Sequence, residues 1–191
     1  NRKSKIENYF TASLKSRNGE KYDPHTQAEA DAVVRDCTDA TWTVASVEEK
    51  EAKKTPPAPF TTSSLQQEAS KKLGYSVKQT MTLAQRLYET GHITYMRTDA
   101  VTLSQEALTA ATAQVRSQFG ASYVLTQPRT YVNKSKGAQE AHEAIRPTDM
   151  ARTPDTVGDL EDGQRHLYDL IWIRTMATQM PDARLKRVGV N

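Results

Sequence analysis

The sequence predicts an α+β fold that is mainly helical in its middle section and carries short strands toward both ends. Apolar residues recur every three or four positions across residues 63–120 and again after residue 167, which is the spacing of amphipathic helices. Residues 9–14, 42–47 and 184–190 instead follow the pattern of strands. No internal repeat or low-complexity segment interrupts this order.

The first part of the chain predicts a small unit of strands and one helix. Residues 9–14 alternate as a strand, and Asn18-Gly19 then gives a strong turn signal. A short amphipathic helix follows, and Cys37 at its end is expected in the core. The apolar face of this helix consists of Ala30, Val33, Val34 and Cys37. Residues 42–47 predict a second strand.

A stretch rich in charge and proline follows at residues 48–59. Seven residues of charge and alanine lead into three prolines within four positions. Proline removes a backbone donor and favours extended chain, so we expect a hinge or a domain boundary here. A solvent-exposed connector and a hinge that moves in function are both compatible with this composition.

The helical section begins with two short helices. Ser64 and Ser76 each begin a capping box, and Gly74 and Gly91 follow the last apolar positions of the two helices. A strand-like run at 92–97 comes next. This order predicts a helix-turn-helix-like core followed by a strand.

The remaining elements are predicted from caps, spacing and prolines. A third helix is expected from about Ser104 to residue 119, and a short strand at 129–132. Residues 137–145 predict one or two helical turns. A last helix carries Leu167, Leu170 and Ile171 and stops at Pro181, before the strand at 184–190.

Composition excludes several classes of protein. The 191 residues include 26 Lys or Arg and 23 Asp or Glu, and no run approaches the roughly 18 apolar residues of a membrane helix. The single cysteine, Cys37, excludes an internal disulfide and a cysteine-based metal cluster. The basic excess lies at 60–150, with ten basic and seven acidic side chains. It permits a polyanionic partner without demanding one.

Other residue types exclude further kinds of site. His25, His92 and His166 have no companions at ligand spacing, so we expect no metal site made by this chain alone. Glycine-rich phosphate loops, a nucleophile elbow and a Ser-His-Asp signature are absent from the sequence. The chain begins Asn-Arg-Lys, without an initiator Met or a signal peptide, so we expect a piece of a larger intracellular protein.

The first candidate for chemistry is the run Ile-Thr-Tyr-Met-Arg-Thr-Asp at 93–99. If this run is extended, Tyr95, Arg97 and Asp99 share one face, because side chains alternate along a strand. A free tyrosine has a pKa near 10, and a guanidinium about 4 Å away favours the phenolate by roughly 4 kcal/mol at an effective dielectric of ~20. Arginine also offers paired donors to a phosphodiester. A surface stripe without function is the alternative.

The second candidate is the run around His142 and Arg146. These residues are four apart, which places them on one face if the run is helical. A histidine that titrates near neutrality and an arginine that keeps its charge both suit a phosphate oxygen. The alternative is a capped surface turn in which Glu143 pairs with Arg146.

These two runs, in this order, resemble type IA DNA topoisomerases. Gly-His-Ile-Thr-Tyr-Met-Arg-Thr-Asp-Ala at 91–100 is followed about forty residues later by Gly-Ala-Gln-Glu-Ala-His-Glu-Ala-Ile-Arg-Pro-Thr at 137–148. Both spellings look most like the bacterial topoisomerase I branch of the family. The runs at 59–69 and 167–172 also fit, so the resemblance covers roughly residues 56–180.

The resemblance implies a transesterification on single-stranded DNA. Tyr95 matches the family nucleophile, which attacks a backbone phosphorus and gives a 5′-phosphotyrosyl link and a free 3′ hydroxyl. Arg97 matches the arginine that contacts the scissile phosphate. His142 matches an active-site histidine, for which we expect a phosphate-binding or proton-transfer role.

Three further residues are expected to support these groups or to contact DNA. They are Asp99, Glu143 and Arg146. Two departures from the family are visible: His92 stands where a Leu is common, and Ala100 where a Ser is common. Neither removes a residue with an assigned role, although Ala100 lacks the hydroxyl of a serine.

The resemblance also implies a domain organisation. Residues 1–54 would be a partial arch domain, 55–181 the tyrosine-bearing catalytic domain, and 182–191 a strand that returns to the arch. In the family, an acidic toprim domain that binds Mg²⁺ lies before this segment, and this chain has no counterpart of it. We therefore expect the chain by itself to be inactive in DNA cleavage.

The implied partners are single-stranded DNA within negatively supercoiled duplex and the missing domains of the same chain. The protein would be a cytoplasmic, nucleoid-associated monomer without a membrane partner. A non-catalytic, helix-turn-helix-like nucleic-acid-binding module at 64–97 is the alternative, with affinity dominated by Lys71, Lys72, Lys78 and Arg86. A purely structural α/β domain, without salt-sensitive DNA binding, is the third hypothesis.

Overall fold

The computed structural model describes residues 11–38, 40–132, 142–158 and 160–191, and it confirms the α+β class. The elements in chain order are β1 (Ser16–Arg17), β2 (Glu20–Lys21), α1 (Gln27–Thr38), β3 (Val47–Lys54), α2 (Thr62–Leu73), α3 (Val77–Glu89), α4 (Gln105–Phe119), α5 (Asp162–Thr178) and β4 (Ala183–Val190). A 3₁₀ turn at Ala121–Tyr123 follows α4. The strands form two two-stranded sheets, β1 with β2 and β3 with β4.

The chain divides into two compact units. The described residues up to Glu48, together with Val188–Asn191, form a terminal unit, and Glu49–Arg187 form a helical unit. The helical unit contains α2 to α5 and a single cluster of buried apolar side chains. Among the described residues, no helix is long and apolar enough to cross a membrane. The assignment of arch and tyrosine domains stays a prediction.

The terminal unit contains the predicted turn and helix but lacks the first predicted strand. Asn18 and Gly19 have φ values of 55° and 87°, the positive values that a tight hairpin turn needs, and they join β1 to β2. Residues 11–14 are exposed and form no strand, because no strand pairs with them in the described chain. Residues 9–10 lie outside the described part.

Helix α1 is present where the apolar spacing predicted it, but it has no buried residue. Cys37 is only half-buried, so the expectation that it belongs to the core is wrong. In the described part of this unit, the ends of β3 and β4 are exposed, and the remaining strands, β1 and β2, form a hairpin of two residues each. Such a short hairpin provides too little apolar surface to enclose a helix face.

The charged stretch before the prolines is a strand, and the hinge or domain boundary expected at 48–59 stays a prediction. Val47–Lys54 pairs with β4, which itself confirms the strand predicted near residue 184. Lys186 Nζ lies 2.6 Å from Glu49 Oε2 across this sheet. Glu and Lys favour strands weakly, but pairing with a distant strand overrides that preference. The strand predicted at 42–47 does not form at residues 42–46, and Trp42 is 74% exposed.

A polar cluster within the helical unit joins the residue just after β3 to the residue just before β4. Arg129 Nη2 donates to Asp182 at 2.7 Å, and the Thr55 hydroxyl donates to the same carboxylate at 3.0 Å. The backbone N–H and C=O of Arg129 bond to the side-chain amide of Gln179. Because the side-chain amide of Gln179 forms hydrogen bonds with the backbone N–H and C=O of Arg129, these groups do not pair with a strand, and the strand predicted at 129–132 does not form.

Helices α2 and α3 are joined by a short turn, as predicted. Ser76 caps α3 by accepting from Gln79 N at 3.1 Å, and Gly74 ends α2 with φ 69°. The predicted start of α2 is three residues late. Thr61 is its cap and accepts from Ser64 N at 3.2 Å, while Ser64 Oγ accepts from Thr61 N at 2.9 Å. The run Thr-Thr-Ser-Ser offers several possible caps, and the helix uses the first.

Helix α4 begins and ends as predicted. Ser104 accepts from Ala107 N at 3.2 Å, and Gly120 follows the last helical residue. Phe119, the last residue of the helix, is 40% exposed and packs against Tyr123, with ring centroids 6.3 Å apart. The buried apolar residues of this helix are Ala107, Leu108, Ala111 and Val115.

Helix α5 is the centre of the core and packs against α2, α3 and α4. It ends at Thr178, before Pro181, as predicted. Its buried large side chains are Leu167, Tyr168, Leu170, Ile171, Trp172 and Met176. Burial raises the pKa of Tyr168 to about 12, and its hydroxyl donates to the Arg152 carbonyl at 2.6 Å. The polar end of this buried tyrosine therefore has a backbone hydrogen-bond acceptor.

Two isoleucines of α5 give a matched test of this core. Ile171 is fully buried and Ile173, two residues later, is 52% exposed. We expect Ile171→Ala to lower the free energy of unfolding by about 2–5 kcal/mol, because it leaves a cavity. Ile173→Ala should change it by less than about 0.5 kcal/mol. Urea unfolding followed by the fluorescence of buried Trp172 measures both, and equal losses would contradict this core assignment.

Candidate active site

The run around Tyr95 alternates between exposed and buried side chains, as predicted. Tyr95, Arg97 and Asp99 are exposed. The positions between and after them are buried, namely Met96, Thr98 and Ala100. The run is not a strand, since its regular pairing in the described chain is one isolated antiparallel bridge between Ile93 and Pro147.

The start of α2 holds the chain on one side of Tyr95. The Thr62 hydroxyl donates to the Met96 carbonyl at 2.8 Å and accepts from Thr98 N at 2.9 Å. The backbone N–H of Thr62 donates to the Thr98 carbonyl at 2.9 Å. One helical residue therefore fixes the backbone before and after Arg97, which turns the Arg97 side chain outward between two anchored neighbours.

The segment at 142–148 holds the other side of Tyr95. The Thr94 hydroxyl donates to the Ala144 carbonyl at 2.8 Å and accepts from Arg146 N at 3.0 Å. The backbone N–H of Thr94 donates to the Arg146 carbonyl at 2.9 Å. Both neighbours of Tyr95 are thus tied to parts of the chain that are distant in sequence.

The helical turn predicted at 137–145 is wrong for its described part. Ile145 is extended there, and its N–H donates to the Phe60 carbonyl at 2.8 Å. His142 and Arg146 therefore do not share a helix face. Pairing with Phe60 supplies the backbone hydrogen bonds that a helix would otherwise supply. The earlier part of that run lies outside the described residues.

A cleft of about 570 Å³ brings three predicted site residues together. Arg97, Asp99 and His142 all line it, although His142 is about forty residues away in sequence. Tyr95, two residues before Arg97, is 45% exposed and is not among the lining residues. The remaining lining residues are Thr61, Thr62, Ser63 and Thr98.

Sequence reasoning gave Thr61, Thr62 and Ser63 no role in a site. They form the cap and first turn of α2, where backbone N–H groups carry a partial positive charge that favours anions. The available signal was the hydroxyl-rich run itself, which marks a helix start. The sequence does not show that this helix start faces Arg97 and His142.

Glu143 and Arg146 form a brace beside the cleft. Arg146 donates to Glu143 through Nη2 at 2.7 Å and to the Pro147 carbonyl through Nη1 at 2.9 Å. Glu143 Oε1 accepts from Ser104 N, the cap of α4, at 2.6 Å. Burial raises the pKa of Glu143, but hydrogen bonds from Arg146 and Ser104 outweigh it and lower the pKa below 4.5. The pairing of Glu143 with Arg146 occurs without the predicted helical turn.

The site and the fold agree with a known class of enzyme. A family model described as DNA topoisomerase matches residues 3–191. The match covers almost the whole chain, so the chain belongs to the DNA topoisomerase family. The resemblance to bacterial topoisomerase I in the sequence motifs is confirmed by the relatives described next.

The similar proteins are bacterial and carry the name DNA topoisomerase 1. The chain is 48% identical to that of Synechocystis sp. over 190 residues, which is 92% of this chain and 21% of the relative. It is 53% identical to that of Streptomyces coelicolor over 165 residues, covering 86% and 17%. The chain thus spans about a fifth of the length of the curated relatives it matches.

A solved structure gives the same result for the fold. The full-length topoisomerase I of Thermotoga maritima matches with a TM-score of 0.69 and 34% sequence identity. The match covers 92% of this chain and 28% of that protein. The mixed architecture of helices and small sheets is therefore that of a topoisomerase I segment.

The Thr62 hydroxyl gives a test of how the Tyr95 run is held. Thr62→Val keeps the shape but removes the donor to Met96 and the acceptor for Thr98 N. We expect a loss of about 1–3 kcal/mol in the free energy of unfolding, because partly buried backbone groups lose their partners. Thr82→Val is the matched control, since exposed Thr82 only donates to a carbonyl of its own helix. Equal urea midpoints for the two variants would contradict this account.

The Glu143 brace predicts a pH dependence of stability. A carboxylate whose pKa is lowered by folding stabilises the fold above its unfolded pKa of 4.5 and loses that effect as pH falls through the folded value. The difference in unfolding free energy between wild type and Glu143→Gln should therefore shrink below about pH 4.5. Glu51→Gln, on exposed β3, is the control. Parallel pH curves for wild type and Glu143→Gln would exclude the brace.

Proposed function

We propose that the chain is the tyrosine-bearing part of a bacterial DNA topoisomerase I that relaxes negatively supercoiled DNA. In this proposal the enzyme cuts one strand through a transient 5′-phosphotyrosyl link, passes another strand through the break and rejoins the ends without ATP. The observation that carries the proposal is that exposed Tyr95 lies two residues before Arg97, which lines one cleft together with His142. The relatives named DNA topoisomerase 1 support the reaction class.

Tyr95 would supply the nucleophile. Its phenolic oxygen forms a bond to a backbone phosphorus, and the bond from that phosphorus to the 3′ oxygen breaks. The phenol proton leaves as the new bond forms, and the departing 3′ oxygen takes up a proton. One phosphate ester replaces another, so the reverse attack by the 3′ hydroxyl rejoins the strand without an energy source.

Arg97 and His142 would act on the phosphate. The guanidinium of Arg97 can donate two hydrogen bonds to the non-bridging oxygens and offset the charge that develops on them. His142 faces the same cleft, where it can bind a phosphate oxygen or transfer the proton. Asp99 also lines the cleft and would orient these two side chains. The first turn of α2 adds a partial positive charge.

Glu143 and Arg146 would support the site without contacting the phosphate. The Arg146 side chain is only 14% exposed, and its donors bond to Glu143 and to Pro147. Few donors are left to reach a DNA backbone. We therefore assign the pair to holding the segment that carries His142.

The proposal places the metal chemistry outside this segment. The family resemblance implies Mg²⁺ bound by a toprim domain of the parent protein. Among the described residues, no group of three or more His, Cys, Asp and Glu side chains is arranged to hold a metal ion. The residues of this chain would therefore supply the nucleophile and phosphate contacts, and the metal would supply charge stabilisation from the partner domain.

The proposed partners and location follow from this function. The substrate would be single-stranded DNA within negatively supercoiled duplex, and the other partners would be the remaining domains of the same chain. We propose arch segments at 1–54 and 182–191 around a tyrosine domain at 55–181. The parent protein would act as a cytoplasmic monomer at the nucleoid.

The competing hypothesis of a non-catalytic binding module depends on basic residues of α2 and α3. Two of these already have acidic partners: Lys72 lies 3.0 Å from Glu68, and Arg86 lies 3.1 Å from Glu161. Their charge is partly neutralised at the surface, which weakens the case for a helix-turn-helix that binds DNA electrostatically. The placement of Arg97 and His142 in one cleft favours the enzyme.

Tyr95→Phe in the parent protein tests the proposal. We expect this variant to bind single-stranded DNA like the wild type but to form no covalent adduct, because the attacking oxygen is removed. The assay uses 5′-labelled and 3′-labelled oligonucleotides with Mg²⁺, denaturing gels and peptide mapping. The protein should retain label from the 3′ side, with the added mass on Tyr95. Tyr123→Phe, at another exposed tyrosine, should leave adduct formation unchanged.

Two outcomes would decide against the proposal. Equal adduct formation by Tyr95→Phe would remove the assigned nucleophile. Intact DNA binding without any adduct in the wild type would favour the binding module. The 191-residue chain by itself is expected to form no adduct, and a covalent product from it would overturn the assignment of the metal site to another domain.

A further inference from the structure

The ring of Tyr95 lies against a second tyrosine. The rings of Tyr88 and Tyr95 have centroids 5.2 Å apart and planes inclined at 66°, which is an edge-to-face contact. Aromatic pairs favour this geometry because the positive edge of one ring meets the negative face of the other. The contact joins a helix to the run that carries the proposed nucleophile.

Tyr88 lies on a helix whose position is fixed by the core, so its ring can restrict the orientation of the Tyr95 ring. It lies near the end of α3, whose adjacent residues Ala84 and Leu87 are fully buried. Its own side chain is 40% exposed, so it reaches outward from an anchored helix. The backbone of Tyr88 is therefore set by the core of the helical unit.

The side chain of Tyr95 has little else to orient it. Hydrogen bonds of Thr94 and Met96 fix the backbone on either side, but they leave the rotation of the Tyr95 side chain undetermined. Among the described residues, the Tyr95 hydroxyl forms no hydrogen bond, and its ring has one aromatic partner, Tyr88. A nucleophile must approach phosphorus along a defined direction, so the rotamer of this phenol matters for the rate.

We propose that Tyr88 is a positioning residue that holds the Tyr95 phenol in the rotamer from which it attacks the phosphorus. This inference rests on the proposed function, since it needs Tyr95 to be the nucleophile. Tyr88 acts through its ring, and its hydroxyl takes no part. The contact raises the fraction of enzyme in which the phenolic oxygen is directed toward the DNA phosphate.

The test is single-turnover adduct formation by the full-length parent protein on a labelled single-stranded oligonucleotide with Mg²⁺. The variants are Tyr88→Phe, Tyr88→Leu and Tyr88→Ala, and Tyr123→Ala is the control at a distant exposed tyrosine. Rates are measured over a range of oligonucleotide concentrations, which separates the rate at saturation from the concentration for half-saturation. Thermal melts report whether each variant is folded.

We expect Tyr88→Leu and Tyr88→Ala to slow adduct formation at saturating oligonucleotide by about 3- to 10-fold, with half-saturation unchanged. Tyr88→Phe keeps the ring edge and face and should stay within about twofold of the wild-type rate. If Tyr88→Ala fails to fold, Tyr88→Leu and Tyr88→Phe carry the comparison. The control should match the wild type.

Four results would overturn the inference. Wild-type rates in Tyr88→Leu would exclude a role for the aromatic contact. A raised half-saturation at an unchanged rate would make Tyr88 a DNA contact, and a Tyr88→Phe variant as slow as Tyr88→Leu would implicate the hydroxyl. The absence of any wild-type adduct on Tyr95 would overturn the proposed function and this inference together. The first three results leave the proposed function standing.

Discussion

The geometry of the candidate site depends on the hydroxyl groups of two threonines. Thr62 and Thr94 each use one side-chain oxygen both to donate and to accept, and together they tie down the residues on either side of Tyr95. Among the described residues, this run pairs with other backbone only through one isolated bridge, between Ile93 and Pro147, so it lacks the two continuous neighbours of a central strand. These hydroxyls supply the missing partners for its backbone at the points where they are needed.

This constraint explains why the run alternates without being a strand. Met96 and Thr98 are drawn inward by the start of α2, so Tyr95, Arg97 and Asp99 point outward between them. The anchoring elements come from opposite directions in the sequence, one before and one after the run. A continuous sheet would hold the backbone equally well, but it would not bring a helix N-terminus and His142 to the same cleft.

Elements specified by local chemistry could be predicted from the sequence, and those specified by distant partners could not. The cap Ser76 and the terminating Gly74 lie within a few residues of the helices they limit, and both predictions are confirmed. Strand β3 has a charged sequence and forms through pairing with β4, far along the chain. In the site, the alternation around Tyr95 could be derived from the sequence. The contact with Tyr88 and the approach of α2 arise from tertiary packing.

Phe60 connects the buried core of the helical unit to the candidate site. Arg174 of α5 lies 4.2 Å above the Phe60 ring, donates to the Ala58 carbonyl at 3.2 Å and pairs with Glu68 of α2 at 3.5 Å. Burial lowers the pKa of Arg174, while the nearby Glu68 carboxylate opposes that shift. The Arg174 guanidinium therefore keeps its positive charge inside the packed unit, where Glu68 compensates it. The Phe60 carbonyl accepts from Ile145, within the segment that holds Thr94. Arg174 of the central helix therefore contacts the segment that leads into α2, and the Phe60 carbonyl connects that segment to the one that holds Thr94.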